Sequence, residues 1–230
     1  MRYLIVAIAM FISTVVSAKT QQQILENTMK MTVMVTNEGF TGTGARGSGI
    51  LINETTVLTC FHLLAAPTDT LYVYTYPFGQ VVKAHPDRVS SSQDIAFLKL
   101  ETPVKLRVRP VFQPNVKVGD RIYAIGNSLG SMQWVLTSGI VSTKESFYIL
   151  SDMPINPGTS GGPWVNEKGE IIGMTDWRIG PMKHVPGIAG AISGKVLHEQ
   201  VYYYLNPDVL MKKMLEALLG VSVSTETKKK

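Results

Sequence analysis

A serine flanked by glycines is the part of this sequence that most strongly suggests chemistry. Ser160 is preceded by Gly158 and Thr159 and followed by Gly161 and Gly162. Glycine and serine are also common in ordinary turns, so the segment alone is ambiguous. A nucleophilic serine needs a tight turn whose backbone N–H groups face the carbonyl under attack, and glycine permits that geometry. We interpret Ser160 as a candidate nucleophile, with Gly158, Thr159 and Ser160 forming an oxyanion hole from the N–H groups of Gly158 and Ser160.

A serine is a weak nucleophile at neutral pH, so the hypothesis requires a base. The chain has four histidines, and His62 ends an apolar run that begins at Val57, where a strand gives way to a short helical turn. That place would hold a base rigidly, although a lone histidine in an apolar run is more often packed in a core. The other histidines, His85, His184 and His198, are expected on the surface.

Asp94 is the candidate for the carboxylate that orients the base. It comes directly before the apolar run 95–100, so we expect it to be partly buried. A buried carboxylate stays ionised only when it is paired or hydrogen-bonded, and an imidazole N–H meets that need. The alternative is an ordinary turn residue at the start of a strand. The order His62, Asp94, Ser160 is that of chymotrypsin-type proteases, whereas subtilisins and α/β-hydrolases have other orders.

Other kinds of site are disfavoured by the same residues. The Gly-x-Ser-x-Gly turn of α/β-hydrolases needs a following helix, which the sequence lacks after Ser160. Cys60 lies two residues before His62, but Ser160 already occupies the nucleophile position, so we expect a buried, inert thiol. A single cysteine excludes an intrachain disulfide. No His-Glu-x-x-His motif or ligand cluster is present, and we expect neither a metal site nor a cofactor.

The elements that must position these residues are mostly short strands. They are rich in Val, Ile, Tyr and Thr and are separated by Gly, Pro, Asn or Asp, which predicts a β-barrel or sandwich. The runs are Met31–Val35, Gly49–Ile52, Val57–Thr59, Leu71–Tyr76, Val81–Ala84, Ile95–Leu100, Arg121–Ile125, Trp134–Val141, Phe147–Ser151, Trp164–Val165, Ile171–Thr175 and Gly187–Ile192.

Two helices are predicted outside these strands. One or two helical turns are expected at Gln21–Lys30. The clearest helix comes last, because Asn206 can cap it, Pro207 suits its first position and Gly220 lies just past its end. Its apolar face, at spacings of four residues, is expected to lie against the barrel and consists of Leu210, Met214 and Leu218.

The first eighteen residues resemble a secretory signal peptide. A basic Arg2 precedes the apolar run 3–16, and small residues end at Ala18, where we expect cleavage. Fourteen residues fall short of the roughly 20 that span a bilayer, so no stable membrane insertion is expected after cleavage. We predict an exported protein, periplasmic or extracellular. The net charge of +5 falls to +1 without Arg2 and the tail lysines 228–230, which argues against a nucleic-acid partner.

Taken together, the sequence resembles the trypsin-like serine proteases of the chymotrypsin fold, most closely the HtrA/DegP family. The resemblance runs in continuous order through Gly47–Ile50, Val57–His62, Asp94–Ala96, Ala124–Asn127, Ser138–Val141, Ile155–Pro163, Gly169–Gly173 and Gly187–Ile192. It implies an all-β fold of two antiparallel six-stranded β-barrels with a C-terminal helix. It also implies that His62 is the general base, Asp94 its orienter and Ser160 the nucleophile, with the cleft between the barrels.

The chain departs from the resembled proteins in two ways. HtrA-family proteins usually carry a PDZ domain, and too few residues follow Ile192 for one, so we expect none. Digestive relatives place Asp before the serine, whereas Thr159 stands here and cannot pair with a new N-terminus. Activation by N-terminal insertion is therefore not expected. The resemblance also raises the possibility of a homotrimer.

The predicted substrate pocket is apolar and rather small. Cleavage after Lys or Arg would need a carboxylate six residues before the serine, and that position is Pro154. Trp177 is expected to form a further wall, and the alternative is that Trp177 and Met153 widen the pocket so that it accepts Met or Leu. The five residues predicted to line it are Met153, Pro154, Ile155, Ile188 and Ile192.

These observations predict a domain organisation and a function. Residues 1–18 form the signal peptide, 19–205 the peptidase domain, and 206–230 a C-terminal helix and basic tail. The predicted function is an exported serine endopeptidase that hydrolyses unfolded polypeptides through an acyl-enzyme. The alternative is a catalytically silent barrel that binds unfolded polypeptide in the same cleft, and an intact triad argues against it.

Overall fold

The structure is a computed structural model that describes residues 20–37, 45–64, 70–77, 79–128, 132–176 and 188–219. The predicted signal peptide, His184, Trp177, Gly187 and the basic tail lie outside the described residues. None of the helices in the described ranges is long and apolar enough to cross a membrane.

Six antiparallel strands close into a first barrel in the order β1-β2-β3-β6-β5-β4. A short 3₁₀ turn, Phe61–Leu64, follows directly after β3. The strands are β1 (Thr32–Thr36), β2 (Ala45–Asn53), β3 (Thr56–Cys60), β4 (Leu71–Thr75), β5 (Val81–Ser90) and β6 (Ile95–Leu100).

Six further antiparallel strands close into a second barrel in the order β10-β11-β12-β9-β8-β7. Each of the twelve predicted runs corresponds to one observed strand, so the prediction of two six-stranded antiparallel barrels is confirmed. The strands are β7 (Arg121–Ser128), β8 (Met132–Lys144), β9 (Tyr148–Ser151), β10 (Pro163–Asn166), β11 (Ile171–Thr175) and β12 (Ala189–Ser193).

The barrel interiors are filled by apolar side chains of the strands. In the first barrel Val57 of β3 lies opposite Leu98 of β6, and both are fully buried. In the second barrel Trp164 is completely buried and its indole N–H donates to Thr175 Oγ1 at 3.0 Å. Burying such a side chain contributes about 1.5–3 kcal/mol, so these cores dominate the stability of each barrel.

Three α-helices flank the barrels. Helix α1 (Gln21–Met31) is longer than predicted and begins with a capping box in which Thr20 and Gln23 bond each other's backbone N–H groups. Helix α2 (Gly194–Leu205) follows β12 directly and was not predicted. Its Tyr204 ring stacks on Phe97 of the first barrel at a centroid distance of 4.2 Å. Helix α2 therefore joins the two barrels.

Helix α3 (Pro207–Leu219) begins and ends where predicted, but its expected packing is wrong. Met214 and Leu218 are 52% and 78% exposed, so the predicted apolar face does not lie against a barrel. The reason is that α2 covers that surface with Leu197 and Val201, and α3 packs mainly on α2. Asn206 also serves α2, because its side-chain amide donates to Tyr202 O.

Candidate active site

His62 lies in the 3₁₀ turn that follows β3, and Asp94 holds it through two contacts. The backbone N–H of His62 donates to Asp94 Oδ1 at 2.7 Å. Its ring Nδ1 lies 2.5 Å from Asp94 Oδ2. A carboxylate only accepts hydrogen bonds, so this contact places a proton on Nδ1 and makes Nε2 the ring nitrogen that carries the lone pair. The side chains of His62 and Asp94 are only 6% and 14% exposed.

The backbone at Asp94 is shaped for this contact. Asp94 has φ of 52°, in the left-handed region that Asp and Asn tolerate better than most residues. Its own carbonyl accepts the N–H of Phe61 at 3.1 Å. Asp94 therefore binds the start of the 3₁₀ turn through its backbone carbonyl and His62 through its carboxylate. The expected partial burial of Asp94 is observed.

The turn that carries Ser160 depends on two glycines with positive φ. Gly158 has φ of 96° and Gly161 has φ of 85°. A Cβ at Gly161 would lie 2.0 Å from the carbonyl oxygen of Ser48, so no larger residue fits there without movement. The N–H of Gly161 donates to Thr175 O at 2.9 Å. Ser160 itself is 3% exposed.

The three predicted oxyanion-hole residues differ in what their N–H groups do. Thr159 N–H donates to Asn156 O at 3.1 Å, so it is engaged within the turn. Among the described residues, no acceptor contacts the N–H groups of Gly158 and Ser160. Those two groups are therefore available to a developing oxyanion, whereas Thr159 serves as the link between them.

The two barrels bring the serine turn against the histidine turn through backbone contacts. Ser48 N–H of β2 donates to Ser160 O at 2.8 Å. Thr175 O, at the end of β11, accepts both the N–H of Gly161 and the thiol of Cys60, which is 3.2 Å away. Cys60 is two residues before His62, so the same carbonyl contacts both halves of the site.

The Cys60 thiol, the His62 ring and the Asp94 carboxylate also have ligand atoms within 4.8 Å of one another, as in a metal site. The 2.5 Å separation of Nδ1 and Oδ2 fits a hydrogen bond between the two atoms, whereas two ligands of a tetrahedral zinc ion lie further apart. Cys60 is fully buried, as predicted, and its thiol is directed at Thr175 O. The arrangement fits a histidine–carboxylate pair better than a metal centre.

The five residues predicted to line the substrate pocket differ in their exposure. Met153 and Ile192 are 1% and 0% exposed and pack into hydrophobic cores, so neither presents a surface to a substrate. Pro154 is exposed, Ile155 is half-buried beside the second barrel's core, and Ile188 is 42% exposed. For Pro154, Ile155 and Ile188 the lining of a substrate pocket stays a prediction.

The other histidines and two unpredicted polar residues complete the comparison with the sequence predictions. His85 is exposed and contacts Glu101 at 2.7 Å, and His198 is exposed on α2. Ser48 and Asn127 were not predicted as site residues, although both lie in segments that carry the family resemblance. The signal available in the sequence was a polar residue at a strand position where burial is expected, and both are in fact buried.

Comparison with known proteins agrees with this geometry. The family described as trypsin-like peptidase domain matches residues 47–174. A Haemophilus influenzae protein named as a periplasmic serine protease, do/HhoA-like, is 38% identical over 160 residues, which is 64% of this chain and 34% of that protein. A Brucella suis protein named as a periplasmic serine endoprotease, DegP-like, is 30% identical over 196 residues, covering 80% of this chain and 37% of that protein.

A vertebrate serine protease is similar to this chain as well. Serine protease HTRA1B of Danio rerio is 32% identical over 161 residues, which is 64% of this chain and 32% of that protein. The chain thus spans about a third of the length of the curated relatives it matches. The family match covers more than half of the chain, including His62, Asp94 and Ser160. The chain belongs to the trypsin-like peptidase domain family.

Proposed function

We propose that this chain is a serine endopeptidase in which Ser160 attacks the peptide carbonyl, His62 moves the proton and Asp94 orients His62. The observation that carries the proposal is the double contact of Asp94 with His62, at 2.7 Å to the backbone N–H and 2.5 Å to Nδ1. A carboxylate placed in this way fixes the tautomer in which Nε2 accepts the serine proton.

The proposed reaction has two halves. Ser160 Oγ forms a bond to the carbonyl carbon while its proton passes to His62 Nε2. The C–N bond then breaks, His62 returns that proton to the leaving amine, and an acyl-enzyme ester remains. In the second half water attacks the ester, its proton passes to His62, and the Ser160 oxygen leaves with that proton. The N–H groups of Gly158 and Ser160 bind the oxyanion in both halves, each being worth about 10²–10³-fold in rate.

Substitution of Ser160 is the direct test. The Ser160→Ala variant should lose cleavage of unfolded casein by about 10⁶-fold, because triad members act as a unit. It should also lose labelling by a fluorophosphonate, which reacts with an activated serine. A matched control is Ser193→Ala, which removes another buried hydroxyl, one that donates to Ser146 O.

The outcomes separate the two function hypotheses. Undiminished cleavage by Ser160→Ala would contradict the endopeptidase proposal. A folded wild-type protein that neither cleaves casein nor reacts with the fluorophosphonate, yet binds unfolded casein, would support the silent barrel.

We propose that the substrates are unfolded polypeptides cut after small or medium aliphatic residues. The position six residues before Ser160 is Pro154, which carries no charge to pair with Lys or Arg. The nearest acid, Asp152, is engaged elsewhere, because its Oδ1 accepts the N–H of Ile140 at 2.8 Å. Burying an unpaired cation beside Ile155 would be costly. Mass spectrometry of the fragments from a denatured protein mixture tests this, and a dominant Lys/Arg signature would contradict it.

We further propose that residues 1–18 direct export and are removed after Ala18, with a peptidase domain at 19–205 and a helix and tail at 206–230. The apolar run of the leader supports export, and two bacterial relatives are named as periplasmic proteins. N-terminal sequencing of the exported protein should begin at Lys19. A homotrimer is proposed from the family resemblance alone, and light scattering of the purified protein tests it.

A further inference from the structure

Ser48 contacts the nucleophile turn at two points from the opposite barrel. It lies in β2, is fully buried, and pairs with Met34 of β1 within the first barrel. Its backbone N–H donates to Ser160 O at 2.8 Å. Its hydroxyl contacts Gly158 O at 2.9 Å. The two contacts lie on either side of the peptide group that contains the Ser160 N–H.

The direction of the hydroxyl contact follows from the neighbouring donors. Asn127 of β7 directs its backbone N–H at Ser48 Oγ from 2.8 Å and its side-chain amide nitrogen from 3.1 Å. A serine hydroxyl has one proton and two acceptor lone pairs. The two Asn127 groups use both lone pairs, because they can only donate. The single proton of Ser48 therefore points at Gly158 O.

The peptide group between Gly158 and Thr159 is consequently held at both polar ends. Ser48 Oγ–H binds its carbonyl oxygen, and Asn156 O accepts its N–H at 3.1 Å. Rotation of this peptide would break both bonds and leave buried polar groups unpaired. Its orientation sets the path of the chain into Ser160, and hence where the Ser160 N–H points.

We propose that Ser48 is a positioning residue whose hydroxyl keeps the Ser160 N–H aimed at the oxyanion. This inference rests on the proposed endopeptidase function. The hydroxyl of Ser48 contacts no reacting atom and acts through Gly158 O. A donor that is held in place before the reaction stabilises the transition state without spending free energy on reorganisation. Loss of the hydroxyl should therefore slow the chemical step more than it weakens substrate binding.

The test compares Ser48→Ala with Ser48→Cys and with the control Thr32→Val. The alanine variant should lower kcat about 10–100-fold on a peptide amide, because the N–H donor is displaced and not removed. KM should stay within about twofold. Affinity for a peptidyl boronic acid, whose serine adduct places an anionic oxygen in the hole, should fall by the same factor as kcat. Ser48→Cys keeps a weak donor, so its kcat should lie between those of the alanine variant and the wild type.

The control separates positioning from stability. Thr32→Val deletes a buried hydroxyl bond to Thr28 O, 2.8 Å long, that contacts neither Gly158 nor Ser160. It should lower the melting temperature while leaving kcat and boronate affinity unchanged. If Ser48→Ala is too unstable to assay, the same comparison is made with Ser48→Cys.

Three results would overturn the proposal: wild-type kcat in a folded Ser48→Ala or Ser48→Cys, a loss that lies entirely in KM, or boronate affinity that does not change. A wild-type protein that fails to hydrolyse the peptide and fails to react with fluorophosphonate would instead refute the endopeptidase function. The two failures are thereby distinguished.

Discussion

The geometry around Asp94 predicts that its closest substitute, asparagine, will be nearly inactive. Asn has almost the shape of Asp and tolerates the φ of 52° found at this position. The substitution therefore makes a single chemical change: an NH₂ donor replaces one acceptor oxygen of the carboxylate. Two groups of His62 compete for the remaining oxygen, namely the backbone N–H and ring Nδ1.

The backbone N–H decides which way the amide points. It can only donate, and it lies 2.7 Å from Oδ1, so the asparagine oxygen should stay there. The NH₂ group then faces Nδ1, which must become an acceptor, and the ring proton moves to Nε2. A protonated Nε2 cannot take the Ser160 proton. The opposite amide orientation would set two donors against each other and cost about 1–3 kcal/mol for an unpaired buried group.

The expected loss in kcat is about 10⁴-fold, as for the wrong tautomer in trypsin-type enzymes. That factor corresponds to about 5.4 kcal/mol of transition-state stabilisation. The assay is hydrolysis of a peptide amide, with urea unfolding to establish that stability is retained. Asp120→Asn is the matched control, because its carboxylate also accepts a backbone N–H, that of Lys117 at 2.8 Å, and contacts no member of the triad. A folded Asp94→Asn that keeps a tenth of wild-type kcat would refute the tautomer reasoning.

Three further perturbations test the packing around the site. Gly119→Ala should lower the free energy of unfolding by about 1–2 kcal/mol, because Gly119 has φ of 90° and a Cβ there meets no neighbour within 4 Å. Gly161→Ala should cost about 1–3 kcal/mol more than Gly119→Ala, because its Cβ would also meet Ser48 O. Equal urea midpoints for the two would contradict this. Burial, and after it the hydrogen bond to Asp87, raises the pKa of Tyr204 above its usual value. The neutral Tyr204 side chain therefore stabilises the folded protein fully below pH ~10, the unfolded-state pKa, and this contribution is lost as the pH rises through the folded-state pKa. Tyr204→Phe should remove that fall in urea unfolding between pH 9 and 11. Cys60→Ala should keep fluorophosphonate labelling, and its loss would point to a role for the thiol.

The strands were predictable because each is encoded locally. Each run is rich in Val, Ile, Tyr and Thr, and Gly, Pro, Asn or Asp residues mark its ends. Helix α2 was missed because three consecutive tyrosines, 202–204, have strand propensity and Gly194 begins the helix. Packing of Leu197 and Val201 against the second barrel overrides that local preference. The wrong packing predicted for α3 follows from missing α2, because α2 covers the barrel surface that was assigned to α3.

The candidate site was predictable where residue type alone limits the choice. With four histidines and one serine that is followed by two glycines, few combinations have the right order. Side-chain direction was harder to predict. Ile192 of β12 and Met153, which lies just beyond the end of β9, are predicted pocket residues, yet both pack in hydrophobic cores. Ser48 was harder still, because its role depends on β2 of one barrel meeting a turn of the other.

The contacts that join the two halves of the site differ in how they respond to mutation. Ser160 O accepts from the backbone of Ser48, and Thr175 O accepts from the backbone of Gly161. Apart from proline, which lacks a backbone N–H, no substitution deletes these groups, so main-chain geometry holds the serine turn against the first barrel. Each such bond contributes about 0.5–1.5 kcal/mol, little beside the cores of the barrels. The hydroxyl of Ser48 and the carboxylate of Asp94, by contrast, are single replaceable groups. Substitution of either should therefore reduce catalysis while the main-chain contacts keep the site assembled.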